Sequence, residues 1–114
     1  MKFCIYNAQT VVQDHPLEPA LKIRISPEVL QKLKEKHHVD EREVSQCFMN
    51  RDGDFLEDLR PEHLTKPLTE WFVAETNKRR RLKVVFVQVG NDIDLKSCYD
   101  ADEESIAIYD ANAY

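Results

Sequence analysis

Three adjacent arginines, Arg79, Arg80 and Arg81, flanked by Lys78 and Lys83, form the densest cluster of like charge in the sequence. At a hairpin turn such a cluster reads either as a solvated turn or as a patch that contacts phosphate or docks a partner edge. Lys83 interrupts an otherwise apolar run from Leu82 to Val89, and a lysine near a strand end commonly snorkels its amine to solvent. His63 lies in a polar, proline-flanked stretch. Its neutral-range titration suits general acid or base work as well as an ordinary surface position. Other chemistry finds little pattern. The histidines are scattered, and His37-His38 beside Cys47 lacks zinc-ligand spacing. With only 2 glycines there is no phosphate-binding loop, dinucleotide fingerprint or nucleophile elbow. A Cys98–His63 nucleophile pair has no local support. Trp71 and Phe72 are neighbours on a strand, so one faces the core. The other either stacks on a base or partner, or packs under a helix.

The elements that must position these residues follow from periodicity and capping. Leu21 to Ile25 alternates apolar and basic residues, as a half-buried strand does. Ser26-Pro27-Glu28 starts a helix that Leu30, Leu33 and Lys34 carry to about His37. Asp40 with Glu43 makes a capping box for a second helix, whose buried stripe is Val44, Cys47 and Phe48. Residues 50–53 form a turn, and 55–67 form a long loop or an irregular hairpin arm. Three strands follow, over 69–76, 82–89 and 92–99, joined by turns at Asn77-Lys78 and Gly90-Asn91. Leu82 to Val89 reads as a central strand covered on both faces. Alternation in the third strand places Ile93, Leu95 and Tyr99 on one face and Asp92, Asp94, Lys96 and Cys98 on the other. Asp100, with Glu103 three residues on, caps a last helix with Ile106 and Tyr109 on its inner edge. The expected architecture is α+β: an N-terminal helix pair packed on an antiparallel β-meander, closed by a short C-terminal helix. Residues 1–20 are read as an extra edge strand or arm.

Bulk properties bound the rest. The chain has 114 residues, which suits one domain spanning 1–114. A hydrophobic content of 42% supports one core and argues against global disorder. No apolar run approaches the ~20 residues of a membrane helix. The short Met1 to Tyr6 stretch lacks signal-peptide length. The expectation is a cytoplasmic protein with no membrane association. Cys4, Cys47 and Cys98, odd in number and widely spaced, read as reduced thiols, with Cys47 and Cys98 as small core residues. The net charge of −5 makes a poor general nucleic-acid binder. It hides an asymmetry between the basic cluster and the acidic stretch after Gly90, where Lys96 is the single cation.

Several segments are similar to known proteins. His37 to Val44 resembles the KHGVS-x-EEA segment of BrnT-type toxins, compact relatives of the RelE-fold ribonucleases. Trp71 to Ala74 and Arg81 to Phe86 resemble two of their strands, and Ser97 to Glu104 followed by Tyr109 resembles their SARRATRRER-x-x-Y ending. The likeness covers roughly residues 26–110. Ser26 to Leu30, Trp71 to Asn77, Leu82 to Gln88, and Tyr99 with Glu103-Glu104 resemble short bacterial proteins labelled ADP-ribosyl-(dinitrogen reductase) hydrolase. Enzymes properly of that name are larger helical proteins with a carboxylate-bound magnesium pair. The toxin resemblance implies a metal-independent endoribonuclease with no cofactor, restrained by an antitoxin and acting on RNA. Such enzymes orient RNA on a concave sheet face and stabilise the charged transition state with basic and polar side chains. The matching candidates are Arg60, His63, Arg81, Lys83, Lys96 and Tyr99. The chain departs from the family where two arginines follow the serine: it has Cys98-Tyr99-Asp100 and then more acids. Those acids would repel RNA. The alternatives are a non-catalytic partner-binding module on the same fold and an ADP-ribosyl hydrolase-like enzyme.

Overall fold

A computed structural model describes residues 22–114, the His63 side chain excepted. The expected arm over 1–20 lies outside the described residues. The described residues form a mixed α/β fold with a five-stranded sheet and three α-helices. Strand β1 (Lys22–Arg24) leads into α1 (Pro27–Lys32), a π-turn (Leu33–His37) and α2 (Glu41–Asn50). The short β2 (Leu56–Glu57) and a 3-10 turn (Pro61–His63) precede β3 (Glu70–Glu75), β4 (Arg81–Val89), β5 (Asp92–Asp100) and α3 (Glu103–Asn112). The sheet order is β1-β5-β4-β3-β2. The last four strands form an antiparallel meander, and β1 adds to β5 in parallel. No helix among the described residues is long and apolar enough to cross a membrane.

Local signals set the helix starts. Ser26 Oγ accepts from Val29 N at 3.2 Å, with Pro27 in the first turn, where its missing N–H costs nothing. Asp40 and Glu43 form the reciprocal capping box. The first helix widens into a π-turn and ends at His38, which takes a left-handed φ of 54°. Its last carbonyls are satisfied from a distance. Arg80 donates to the carbonyls of His37 at 3.0 Å and His38 at 2.8 Å, and also to the carboxylates of Glu43 and Asp100.

The core lies between α2 and one face of the sheet. Val44 and Cys47 are buried, and Phe48 packs edge-on against Phe72 and Phe86, at centroid separations of 4.8 and 5.5 Å. Phe55 completes the cluster, 4.8 Å from Phe86. Edge-to-face rings match the aromatic quadrupole, worth ~0.5–1.5 kcal/mol a pair beyond area burial. Helix α2 also covers the part of the β3 edge that β2 leaves open. Cys47 Sγ lies 3.6 Å from the Ala74 carbonyl, Asn50 donates to the Glu75 carbonyl at 2.9 Å, and Gln46 accepts from Asn77 N at 3.0 Å.

Two expectations are corrected. The strand alternation does not run unbroken through β5. Val85 faces Ser97 but Phe86 faces Leu95, so Lys96 is the extra residue of a β-bulge. The pleat shifts phase there. Cys98 joins Ile93 and Leu95 in the core, and Tyr99 turns to the opposite face with Ser97 and Asp94. The last helix is capped by Asp102, which accepts from Ser105 N at 2.7 Å, rather than by Asp100. Asp100 stays in β5, opposite Leu82, where Arg80 Nε reaches its carboxylate at 2.9 Å.

Helix α3 packs on the second face. Tyr109 is buried 5.9 Å from the Trp71 ring, and its hydroxyl donates to the Asp54 carbonyl at 2.8 Å. The contact needs Gly53. A Cβ there would lie 2.7 Å from Tyr109 Oη and 2.9 Å from Ala113 Cβ.

Candidate functional site: an open groove on the second sheet face

The second face of β3, β4 and β5 presents Trp71, Lys83, Val85, Val87 and Tyr99. The N-terminal half of α3 and the 57–67 segment rise beside it. Together they enclose an open groove of about 1260 Å³. Arg60, Lys83, Lys96 and Tyr99 all line it. Four of the six residues singled out in the sequence therefore meet at one site, although they come from a loop and two strands.

Lys83 sits on the floor. Its Nζ donates to Ser105 Oγ at 3.2 Å and lies 4.4 Å from the centroid of the Trp71 ring. Burial pushes the Lys83 pKa below the usual lysine range, against the pull of Asp102, with Arg60 adding to the depression. The Trp71 face attracts the ammonium form, which keeps the amine from being lost to desolvation alone. Tyr99 is the direct cross-strand partner of Lys83. Burial, and then the charge of Asp102, raises its phenol above the usual value, so it is protonated at neutral pH. Its ring also leans on His37, at 5.4 Å between centroids.

Asp102 and Ser105 hold the other side. Hydrogen bonds from Ser105 depress the Asp102 pKa and keep its carboxylate ionised. Ser105 thus links a capping carboxylate to the Lys83 amine. Arg60 is closed on Asp58 by two hydrogen bonds, from Nε at 2.9 Å and Nη2 at 2.8 Å, a bidentate pair that raises the guanidinium pKa further. The groove carries the cations Arg60, Lys66, Lys83 and Lys96 against the carboxylates Glu57, Asp58, Asp94, Asp102 and Glu104. It is polar and mixed in charge rather than basic.

The remaining candidates lie elsewhere. Arg81 bonds Glu75 at 3.2 Å and lines a separate groove of about 600 Å³ with Arg79, Asn50 and Asp110. The backbone of His63 closes the 3-10 turn beside the main groove. The arginine cluster is not one patch: Arg79 is exposed with a φ of 67°, Arg80 is a structural pin, and Arg81 pairs across its hairpin. Trp71 is half-buried: it packs 5.9 Å from the Tyr109 ring of α3 and also lines the groove, so both of its sequence readings keep a footing. Cys47 and Cys98 are fully buried. Burial lifts the Cys47 thiol to about 12 and raises Cys98 as well, so neither is a nucleophile. That removes the Cys98–His63 pairing. Ser105 and Asp102 escaped the sequence reading, since nothing local ties residue 105 to residue 83. Among the described residues, no group of three or more His, Cys, Asp or Glu is placed to hold a metal ion. The chain matches no known protein family, no curated protein and no solved structure.

Proposed function

We propose that the chain is a RelE/BrnT-like, toxin-type domain, and that the groove around Lys83 cleaves RNA without a metal ion under the restraint of an antitoxin. The observation that supports this is the convergence of Lys83, Tyr99, Arg60 and Lys96 on one groove. The 2′-oxygen attacks the adjacent phosphorus, the bond to the 5′-oxygen breaks, and a 2′,3′-cyclic phosphate and a 5′-hydroxyl remain. Lys83 stabilises the charge that builds on the phosphoryl oxygens. Tyr99, protonated at neutral pH, supplies a proton to the departing 5′-oxygen. The 2′-hydroxyl proton leaves to solvent. Incubating the purified protein with single-stranded RNA in the presence of a chelator tests the reading. Cleavage that yields cyclic phosphate ends and fails in Lys83→Ala is expected; an intact substrate, or full activity in Lys83→Ala, refutes it.

A second reading has its own support. Five carboxylates line the groove, and Leu59, Val89 and Ile108 are exposed along it. That mixture suits a protein partner, so the same fold serves as a non-catalytic binding module. Inertness toward RNA together with a stable stoichiometric complex would select this reading.

A further inference from the structure

We infer that the groove, taken as a phosphodiester site in the sense proposed above, accepts one phosphate group at Lys83 and no tract of phosphates. The substrate class is a dinucleotide-sized phosphate ester, in place of an extended strand held along its backbone. This inference rests on the nuclease reading and narrows it.

The argument is where each charge stands. Of the four cations, Arg60 is occupied twice over by Asp58. Lys66 and Lys96 are exposed, where an ammonium gains little from an anion at ordinary salt. Lys83 differs. It is half-buried and forms no ion pair among the described residues. One N–H of its ammonium is used on Ser105, which leaves two for phosphate oxygens. The Tyr99 hydroxyl, opposite in the ladder, is a further neutral donor. One phosphate is therefore well served. A second one, bound in series, would meet Glu57, Asp102 or Glu104 along the same walls. Neighbouring parts of a ligand are better matched by the apolar floor of Val85 and Val87. A site for a backbone tract would instead carry a row of cations, each releasing a counterion.

The chain supplies its own reporter. Trp71 is its single tryptophan, and the Lys83 amine lies over its ring. Fluorescence titrations would use 2′-O-methyl RNA, which lacks the attacking hydroxyl, as a dinucleotide and as a 12-mer, with inorganic phosphate as a third arm. With one phosphate contact, affinity per phosphodiester step is equal for the two RNAs. It falls only about 2.6-fold between 50 and 200 mM salt, the loss for one contact on a single strand. Inorganic phosphate binds at least about tenfold more weakly, lacking groups for the apolar floor. Lys83→Met abolishes the response to the dinucleotide while the circular dichroism spectrum is unchanged. A 12-mer that binds about tenfold tighter per step, with a loss of about 18-fold or more over the same salt range, means three or more contacts and overturns the inference while leaving the nuclease reading intact. Inorganic phosphate that binds as tightly as the dinucleotide also overturns it. Absence of binding by either RNA removes both.

Discussion

Arg79, Arg80 and Arg81 are consecutive and identical, yet the structure assigns them three different effects on stability. Arg80→Ala deletes donors to the carbonyls of His37 and His38 and to the carboxylates of Glu43 and Asp100. Hydrogen bonds to charged groups contribute ~1.5–3 kcal/mol each in mutational series. The Arg80 side chain is 28% exposed, so water recovers part of each bond. A net loss of ~2–3 kcal/mol remains, or about 10–15 °C in Tm for a chain of this size. Arg80→Lys keeps the charge but not the planar fork, and loses most of the same stability. Arg79 holds a φ of 67°, where a side chain is strained and glycine is not, so Arg79→Gly gains ~0.5–1 kcal/mol. Arg81 and Glu75 form an exposed pair, and Arg81→Ala changes stability by less than about 0.5 kcal/mol. The assay is urea unfolding followed by Trp71 fluorescence, with unchanged m-values as the check that compactness is preserved. The pH dependence has a sign. Arg80 holds the Asp100 pKa below its unfolded value, so that part of the stability is present above about pH 4 and is lost as pH falls through the depressed folded value. The gap between wild type and Arg80→Ala therefore narrows in acid. Equal effects of Arg80→Ala and Arg81→Ala, or a destabilised Arg79→Gly, would refute the reasoning.

Further expectations concern α3, the core and the pH profile of the proposed reaction. Gly53→Ala pushes a methyl into Tyr109 and Ala113, and costs ~1–3 kcal/mol in thermal melts because α3 must shift. Phe72→Ala empties the centre of the aromatic cluster and costs ~3–5 kcal/mol by the same measurement; a loss under about 1 kcal/mol would contradict its complete burial. If protonated Lys83 stabilises the cleavage transition state, the rate falls as pH rises through its depressed pKa, below the ordinary lysine value of about 10.4. Lys83→Arg, which stays charged, extends activity to higher pH, and a rate profile identical to wild type would exclude Lys83 as the titrating group.

What was legible in the sequence was local. Ser26 and the Asp40–Glu43 pair announce helix starts because a cap is satisfied within three residues. The same rule misled at Asp100, which has Glu103 at the right spacing. Pairing with Leu82 and the reach of Arg80 hold Asp100 in the strand, and the cap passes to Asp102. Long-range satisfaction was invisible for the arginine cluster too, since the partners of Arg80 lie on the first two helices and on β5. The site was legible in composition but not in geometry. Lys83 stands out as a charge in an apolar run, whereas the Ser105 hydroxyl that meets it comes from an element 22 residues away.

The bulge at Lys96 gives β5 one position where its length is free to vary. Lys96 has no partner on β4, and its side chain is exposed, so many residue types fit there. Removing the position leaves Leu95, Ser97, Cys98 and Tyr99 opposite the same four residues of β4 in a regular ladder, with Cys98 still in the core and Tyr99 still beside Lys83. What goes is the local bend and extra twist that a bulge gives its strand. One residue added between Cys98 and Tyr99, where the ladder is regular, has the opposite effect: it turns Tyr99 to the other face and breaks its pairing with Lys83. Length in β5 is therefore cheap to change at one codon and costly a few codons later.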